Sequence, residues 1–440
     1  MKTKPIQTTR INVASVLLII LVLFSASVAV LLYPESFVLI SSLTLLIISV
    51  AISFKVGGSV FHPLFMTLIA FIFYFGFGLF IIGISEGSFR SFFILTVGLL
   101  FFSSGGLLYN YLFKVNSRRL LLIFRLTGFE DTIIPSNIAL FSLWLFGAFF
   151  YLYLILKVGV PMMVKDLSVR YKVSGFTNSF FELFWPISTV GFFIKSKKTN
   201  SRRLFLIAMF LATISAILYT FLLHRYALLQ LLLCLFIAHI YVQHSEPKAN
   251  KYISWCIIGG IIIFGIQYIR SSLEGTSLQG KVLIDITIKR LFIIGARTLD
   301  YIFDNFPKRY DFLHGLTYIR QLRNLYYPED KVPSMGYFLY SEVTGYDTPG
   351  YDPISIIGEF FVNFGFCGLI FGMFVFGFLV QGFSARLLSR KSVYRLILFS
   401  VGSMLLIRSF AYSLPGNAYN FCIVTFGFIF LFILSRNFSK

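Results

Sequence analysis

The sequence predicts an all-α integral membrane protein of about twelve transmembrane helices, and three observations predict it. Of its 440 residues, 57% are hydrophobic and only 13% charged. A water-soluble domain cannot hide that much apolar surface, because its own exterior must be largely polar. The apolar residues also come in runs of about twenty, the length a helix needs to cross hydrocarbon, and not in the ten-residue alternating segments of a barrel. Finally, no backbone amide can stay unpaired in lipid, so uninterrupted apolar runs of this length must coil into helices.

The expected spans are 11–33, 37–54, 60–84, 91–113, 138–157, 179–194, 204–223, 226–243, 252–268, 356–382, 396–412 and 421–435. The first follows a short basic segment ending at Arg10 and is too long for the apolar core of a cleaved signal peptide. The turn at His224–Arg225 has no Gly or Pro, but the apolar stretch around it is roughly twice a bilayer crossing. Three regions result: a nine-helix part at 1–268, a large loop with an amphipathic helix at 269–355, and a three-helix part at 356–440. Cys234, Cys256, Cys367 and Cys422 all fall inside spans, which argues against a loop disulfide framework or a zinc site.

Charge gives the chain a direction. With the N-terminus inside, the inner segments carry 21 of the 38 Lys and Arg, among them Arg118, Arg119, Lys197, Lys198, Arg202, Arg203, Arg390 and Lys391. The positive-inside rule then puts both termini of a multi-pass membrane protein in the cytoplasm, with 269–355 outside. Much of the +20 net charge therefore serves topology and anionic lipid headgroups. These charges are scattered over short segments, and no nucleic-acid module accompanies them.

Charges in or beside a bilayer are costly and need a partner, water or a function. Here they gather at the predicted outer ends: Glu182, Glu359 and Arg408 in spans, Arg225 at a hairpin tip, Arg170 and Lys172 in a loop. Interfacial snorkelling and Glu–Arg pairing would account for any one of them. Their collection at one face points to a polar, arginine-rich cavity open to the outside. In 282–306, Arg290, Arg297 and Asp304 recur every seven residues with Asp300 beside them, so they share one face of a helix. Such a helix is expected in the membrane interface, with its guanidinium groups turned to something polar; an ion-paired stripe is the alternative. His314 is the only histidine of the long loop and a candidate general base. The five histidines show no ligand-like pairing, and no nucleotide-binding motif is present, so neither metal nor cofactor is expected.

The segment SIIGEFFVNFGFCGLIFGMFVFGFL (355–379), with its G-E-aromatic pair ahead of an N-x-G small-residue run, resembles a late span of oligosaccharide repeat unit polymerases. These are the Wzy-type O-antigen and capsule polymerases. HRYALLQLLL (224–233), RYKVSG (170–175) and FLHGLTY (312–318) are similar to that family's Arg-led central span, outer loop and large outer loop. The resemblance implies a GT-C-like polymerase and ligase architecture. It implies a metal-independent glycosyltransferase that moves a growing glycan from undecaprenyl diphosphate onto a new lipid-linked repeat unit at the outer face. It implies lipid-linked oligosaccharide, membrane lipid and a chain-length regulator protein as partners. Arg170, Arg225 and Arg297, with Arg290 and Arg408, would bind the diphosphates, since guanidinium groups suit such leaving groups. His314 would take the acceptor proton, and Glu359 would act as base or position the acceptor. An O-antigen ligase-like transferase and a polysaccharide flippase or transporter are the competing readings.

Overall fold

The computed structural model describes residues 35–58, 62–115, 134–160, 175–222, 225–243, 265, 268, 293–319, 335–344, 354–388, 392–410 and 414–437. Regular structure among them is helical throughout. The first six helices described are α1 (Glu35–Gly57), α2 (Pro63–Glu86, with a π-turn at Ile72–Gly76), α3 (Arg90–Val115), α4 (Asn137–Val158), α5 (Gly175–Lys198) and α6 (Arg202–Phe221). After them come α7 (Arg225–Gln243), α8 (Ile294–Asn305), α9 (Met335–Thr344), α10 (Ser355–Leu388), α11 (Val393–Ile407) and α12 (Leu414–Asn437).

Among the described residues, seven helices are long and apolar enough to cross a membrane: α1, α2, α3, α4, α6, α10 and α12. Apolar segments of α7 and α11 are shorter. The expected spans 11–33 and 252–268 lie outside the described residues, apart from residues 265 and 268. The expected span 179–194 forms as α5, although its composition is too polar for the seven. Its position explains this, because residues 179–194 are buried on every side and meet protein instead of lipid.

The helices divide into two packed halves, each around one enclosed helix. In the first, α3 is 83% buried along its apolar window and packs against α1 and α10, with α2, α8 and α9 completing the core. In the second, α5 lies among α4, α6, α7, α11 and α12. The last three helices are therefore shared out, α10 going to the first half and α11 and α12 to the second. The α3–α10 contact is close enough for backbones to touch. A side chain at Gly105 would strike the Phe374 carbonyl, and one at Gly377 the Phe102 carbonyl. Small residues that let helix backbones meet in this way are a mainstay of packing where the hydrophobic effect is absent.

One end of the bundle is basic and tied by polar bonds: Asn110 Nδ2 donates to the Val56 carbonyl, Gln381 to Asn110 Oδ1, Lys195 Nζ to the Pro135 carbonyl and the Ser136 amide to Ser435 Oγ. Lys197, Lys198 and Arg202 belong to this end. The opposite end carries the starts of α5 and α7, residues 363–365 of α10 and the end of α11.

The segment expected as a straight span at 356–382 is folded. Phe364 (φ −140°, ψ 15°) and Gly365 (φ 65°, ψ −151°) leave helical geometry and split α10 into arms 355–363 and 366–388. The arms double back on each other: a Cβ at Gly368 would meet the Phe360 carbonyl oxygen at 2.6 Å, although in a straight helix eight residues separate two atoms by about 12 Å. Gly372 lies under the Phe360 ring. The longer arm is about 34 Å at helical rise, enough to cross a bilayer alone. The short arm is a re-entrant piece, tolerated at depth because protein covers it: Ser355, Ile356, Ile357, Gly358 and Glu359 are all buried.

The amphipathic helix of the long loop exists as α8, but its apolar face meets protein and not the membrane interface. Gly295 sits against Tyr74 and Phe75 at the π-turn of α2. Leu299 and Ile302 cover Gly358, and Phe303 stacks edge-on with Phe361 at 4.8 Å. From the middle of α2, α8 runs to its end, where Asp304 faces Arg90 at 3.7 Å.

Candidate functional site

Two polar groups form at the end opposite the basic one. The first is built on the break in α10. A helix that stops leaves carbonyls without partners, and here a turn of the long loop supplies them. The Leu313 amide donates to the Val362 carbonyl (2.9 Å) and the His314 amide to the Asn363 carbonyl (3.0 Å). The Asn363 side chain, fully buried, completes the joint. Its Oδ1 accepts from the Gly315 amide (2.9 Å), while Nδ2 donates to Thr317 Oγ1 and to the Glu359 carbonyl (both 2.7 Å).

Local sequence explains the geometry. The φ and ψ of Gly365 lie where essentially only glycine goes, and the Phe312 ring fills the space a side chain would need, 2.7 Å from an added Cβ. On the loop side, His314 (φ 45°) and Gly315 (φ 88°) are both left-handed, which turns the chain tightly enough for consecutive amides to reach the break. The His314 side chain is consequently exposed, while its backbone is fixed. Glu359 is 1% exposed, one turn before Asn363 on the short arm. The hydroxyl of Tyr318 lies in the field of Glu359; burial first, then that carboxylate, pushes its pKa up.

The second group is buried between α5, α7 and α11. Arg408, 4% exposed at the end of α11, faces Glu182 of α5 at 3.6 Å. With the Gln230 amide oxygen turned toward it, the guanidinium donates to that oxygen from Nη1 (2.6 Å) and Nε (3.1 Å). Its plane lies 4.7 Å from the centre of the Tyr226 ring. Pro186 has no N–H to return to the Glu182 carbonyl, so α5 is loosened beside its buried carboxylate. Below, Trp144 and Trp185 stack at 5.6 Å, and Tyr219 Oη donates to the Phe181 carbonyl.

Of the residues expected at the site, His314 and Glu359 meet through Asn363, and Arg408 pairs with Glu182. Arg297 lies exposed on α8, and its charge acts on Asp300. Burial pushes the Asp300 carboxyl up, against the Ser91 hydroxyl and Arg297, which pull it down. Arg225 begins α7, with its side chain outside the described residues; Arg170 and Arg290 lie outside them altogether. Three participants were not singled out by sequence. Asn363 was visible only as part of an N-x-G run, and Tyr226 and Gln230 only as an i, i+4 pair following Arg225.

A third cluster ties the long loop to itself. Tyr301 Oη (2.9 Å) and Tyr310 Oη (2.6 Å) both donate to Glu342 Oε2, with Arg309 at 3.5 Å. These bonds, from Tyr310 first, hold the Glu342 carboxyl below its ordinary range. Among the described residues, no group of His, Cys, Asp and Glu is placed to hold a metal ion. No protein-family model, curated protein or solved structure matches the chain.

Proposed function

We propose that the protein polymerises undecaprenyl-diphosphate-linked oligosaccharide repeat units at the outer face of the bacterial cytoplasmic membrane. The observation that carries this reading is the joint at the break in α10. It ties the backbone of the turn that carries the exposed His314 side chain to the helix turn that carries the buried Glu359, at the end of the bundle opposite the topogenic basic residues. The sequence around the joint is the part that resembles the repeat unit polymerases.

In the reaction proposed, a hydroxyl of the incoming unit's terminal sugar attacks the anomeric carbon of the growing chain. The bond from that carbon to the carrier diphosphate breaks as the new glycosidic bond forms. Undecaprenyl diphosphate leaves with the bonding pair, and His314 takes the hydroxyl proton. Arg297, exposed on α8, suits the departing diphosphate, with Arg170, Arg225 and Arg290 as further candidates from the sequence. Arg408 is already engaged by Glu182 and Gln230, which ranks it behind Arg297 for this role.

The test is complementation of a strain whose own polymerase is deleted. The intact gene should restore long-chain surface glycan, and Arg297→Ala or Arg225→Ala should leave single repeat units while the protein stays inserted. Normal ladders from both variants would sink the assignment of these arginines. Failure of the intact gene to extend glycan, with restored attachment in a ligase-deficient strain, would move the protein to the ligase class. Repeat units trapped inside the cell would make it a flippase.

A further inference from the structure

Asn363 spends its whole side-chain amide on the joint. Both Nδ2 hydrogens are given, one to Thr317 Oγ1 on the loop and one to the Glu359 carbonyl on the short arm, and Oδ1 takes the Gly315 amide. Its backbone carbonyl takes the His314 amide. One residue thus contacts three consecutive features: the helix turn that carries Glu359, the left-handed turn that carries His314, and the hydroxyl that follows it. An apolar residue here would leave the Gly315 amide without its acceptor, and buried polar groups rarely tolerate that.

We infer that Asn363 is a positioning residue that sets the His314 imidazole for proton transfer during chain extension, with Thr317 as its partner on the loop. The inference rests on the polymerase reading given above. Asn363 is completely buried and acts through the turn it holds. Its contribution is orientation. A base on an exposed turn of two left-handed residues samples many directions unless its main chain is clamped, and a misplacement of about 1 Å can cost roughly a hundredfold in rate. Clamping by main-chain bonds leaves both imidazole nitrogens available for the reaction.

The experiment uses the full-length protein in lipid nanodiscs with isolated undecaprenyl-diphosphate-linked repeat units as substrate. It compares Asn363→Ala, Asn363→Asp, Thr317→Val and Thr317→Ser by kcat, KM, the pH dependence of the rate, and amide hydrogen exchange at 313–315. Asn363→Ala should speed exchange of the Gly315 amide and lower kcat about tenfold or more, with KM little changed. Asn363→Asp keeps an acceptor for Gly315, and for the Thr317 hydroxyl if that turns to donate, but loses both Nδ2 donations, to Thr317 and to the Glu359 carbonyl, so it should fall between Ala and the parent. Thr317→Val should lose part of the rate and Thr317→Ser should regain it. The Thr317 pair keeps the inference exposed if Asn363→Ala fails to fold.

Faster exchange at Gly315 with an unchanged kcat would overturn the inference, since the turn would then be held for some other reason. Unchanged exchange and unchanged kcat would overturn it too. A parent protein that extends no glycan while Asn363→Ala still frees the Gly315 amide would overturn the polymerase reading, and with it the catalytic part of this inference; the parent's own inactivity distinguishes that failure from the other two.

Discussion

The two polar groups at this end of the bundle are made in opposite ways. Around Arg408 the work is done by side chains: a guanidinium, a carboxylate, an amide and a phenol ring converge in a buried space between three helices. Around His314 it is done by main chain: a broken helix offers carbonyls, a left-handed turn offers amides, and a single asparagine closes the gap. A charge in a low-dielectric interior must be matched where it stands, so the Arg408 group is rigid and largely satisfied. In the function proposed above, His314 serves as a base that meets a large amphipathic substrate and must stay accessible; clamping the backbone alone suits that role. The contrast teaches that burial of an ionisable group in a membrane bundle is a weak sign of chemistry when its partners already complete it.

The sharpest break of that comparison is at Glu182 and Arg408. Glu182→Ala or Arg408→Ala leaves one uncompensated buried charge and should destabilise the protein by about 3–5 kcal/mol, read as a lowered thermal midpoint in detergent. The double variant Glu182→Leu with Arg408→Met removes both charges and should recover most of that loss. Glycan extension separates the roles. A double variant that folds and still extends glycan makes the pair structural, whereas one that folds and is inert returns Arg408 to the substrate.

Next in size are the glycines that give the first half its shape. Gly377→Ala pushes a methyl group into the Phe102 carbonyl, and backbone cannot step aside as a flexible side chain can. A loss of about 1–3 kcal/mol is expected, with poor accumulation of folded protein. Gly365→Ala forces an L-residue into glycine-only backbone and into the Phe312 ring, a cost on the order of 1–3 kcal/mol. The two differ in what else they touch. Gly365→Ala should release the 313–315 amides to exchange, while Gly377→Ala should leave them protected in whatever fraction folds.

What was legible in the sequence follows from which forces are local. Long apolar helices could be read because twenty apolar residues in a row have one stable arrangement in lipid, and α5 was legible as a helix even with Glu182 and Pro186 in it. The break in α10 was not, although Asn363 and Gly365 stand in its N-x-G run. Hydropathy stays high across them, so the run looks continuous, and the reversal depends on Phe360 finding Gly368 and Gly372. The seven-residue recurrence of Arg290, Arg297 and Asp304 announced a helix with two faces, but an apolar face looks the same whether lipid or α2 covers it. Glu182 and Arg408 were each marked as costly charges. Their pairing is a long-range fact that no spacing rule carries.

The smallest effect expected is at the clasp on Glu342, which tests whether the long loop holds itself independently of the joint below it. Hydrogen bonds from Tyr310 and Tyr301, and then the charge of Arg309, lower the Glu342 pKa from its ordinary 4.5. A carboxyl with a depressed folded pKa adds stability above its unfolded value, and that stability is lost as pH falls through the folded value. The clasp should therefore be intact at neutral pH and open only below pH 4.5. On the alkaline side, burial and the same hydrogen bonds raise the Tyr301 pKa above its ordinary 10, so the phenol's contribution holds up to that pH and fades beyond it. Amide exchange in α9, corrected for the intrinsic effect of pH, should rise in acid and should already be raised at neutral pH in Glu342→Gln. Tyr301→Phe should produce a smaller rise, because Tyr310 keeps the shorter bond to the same oxygen. If the 313–315 amides are freed together with α9, the clasp and the joint are one cooperative unit; if they stay protected, the main-chain joint at α10 stands alone.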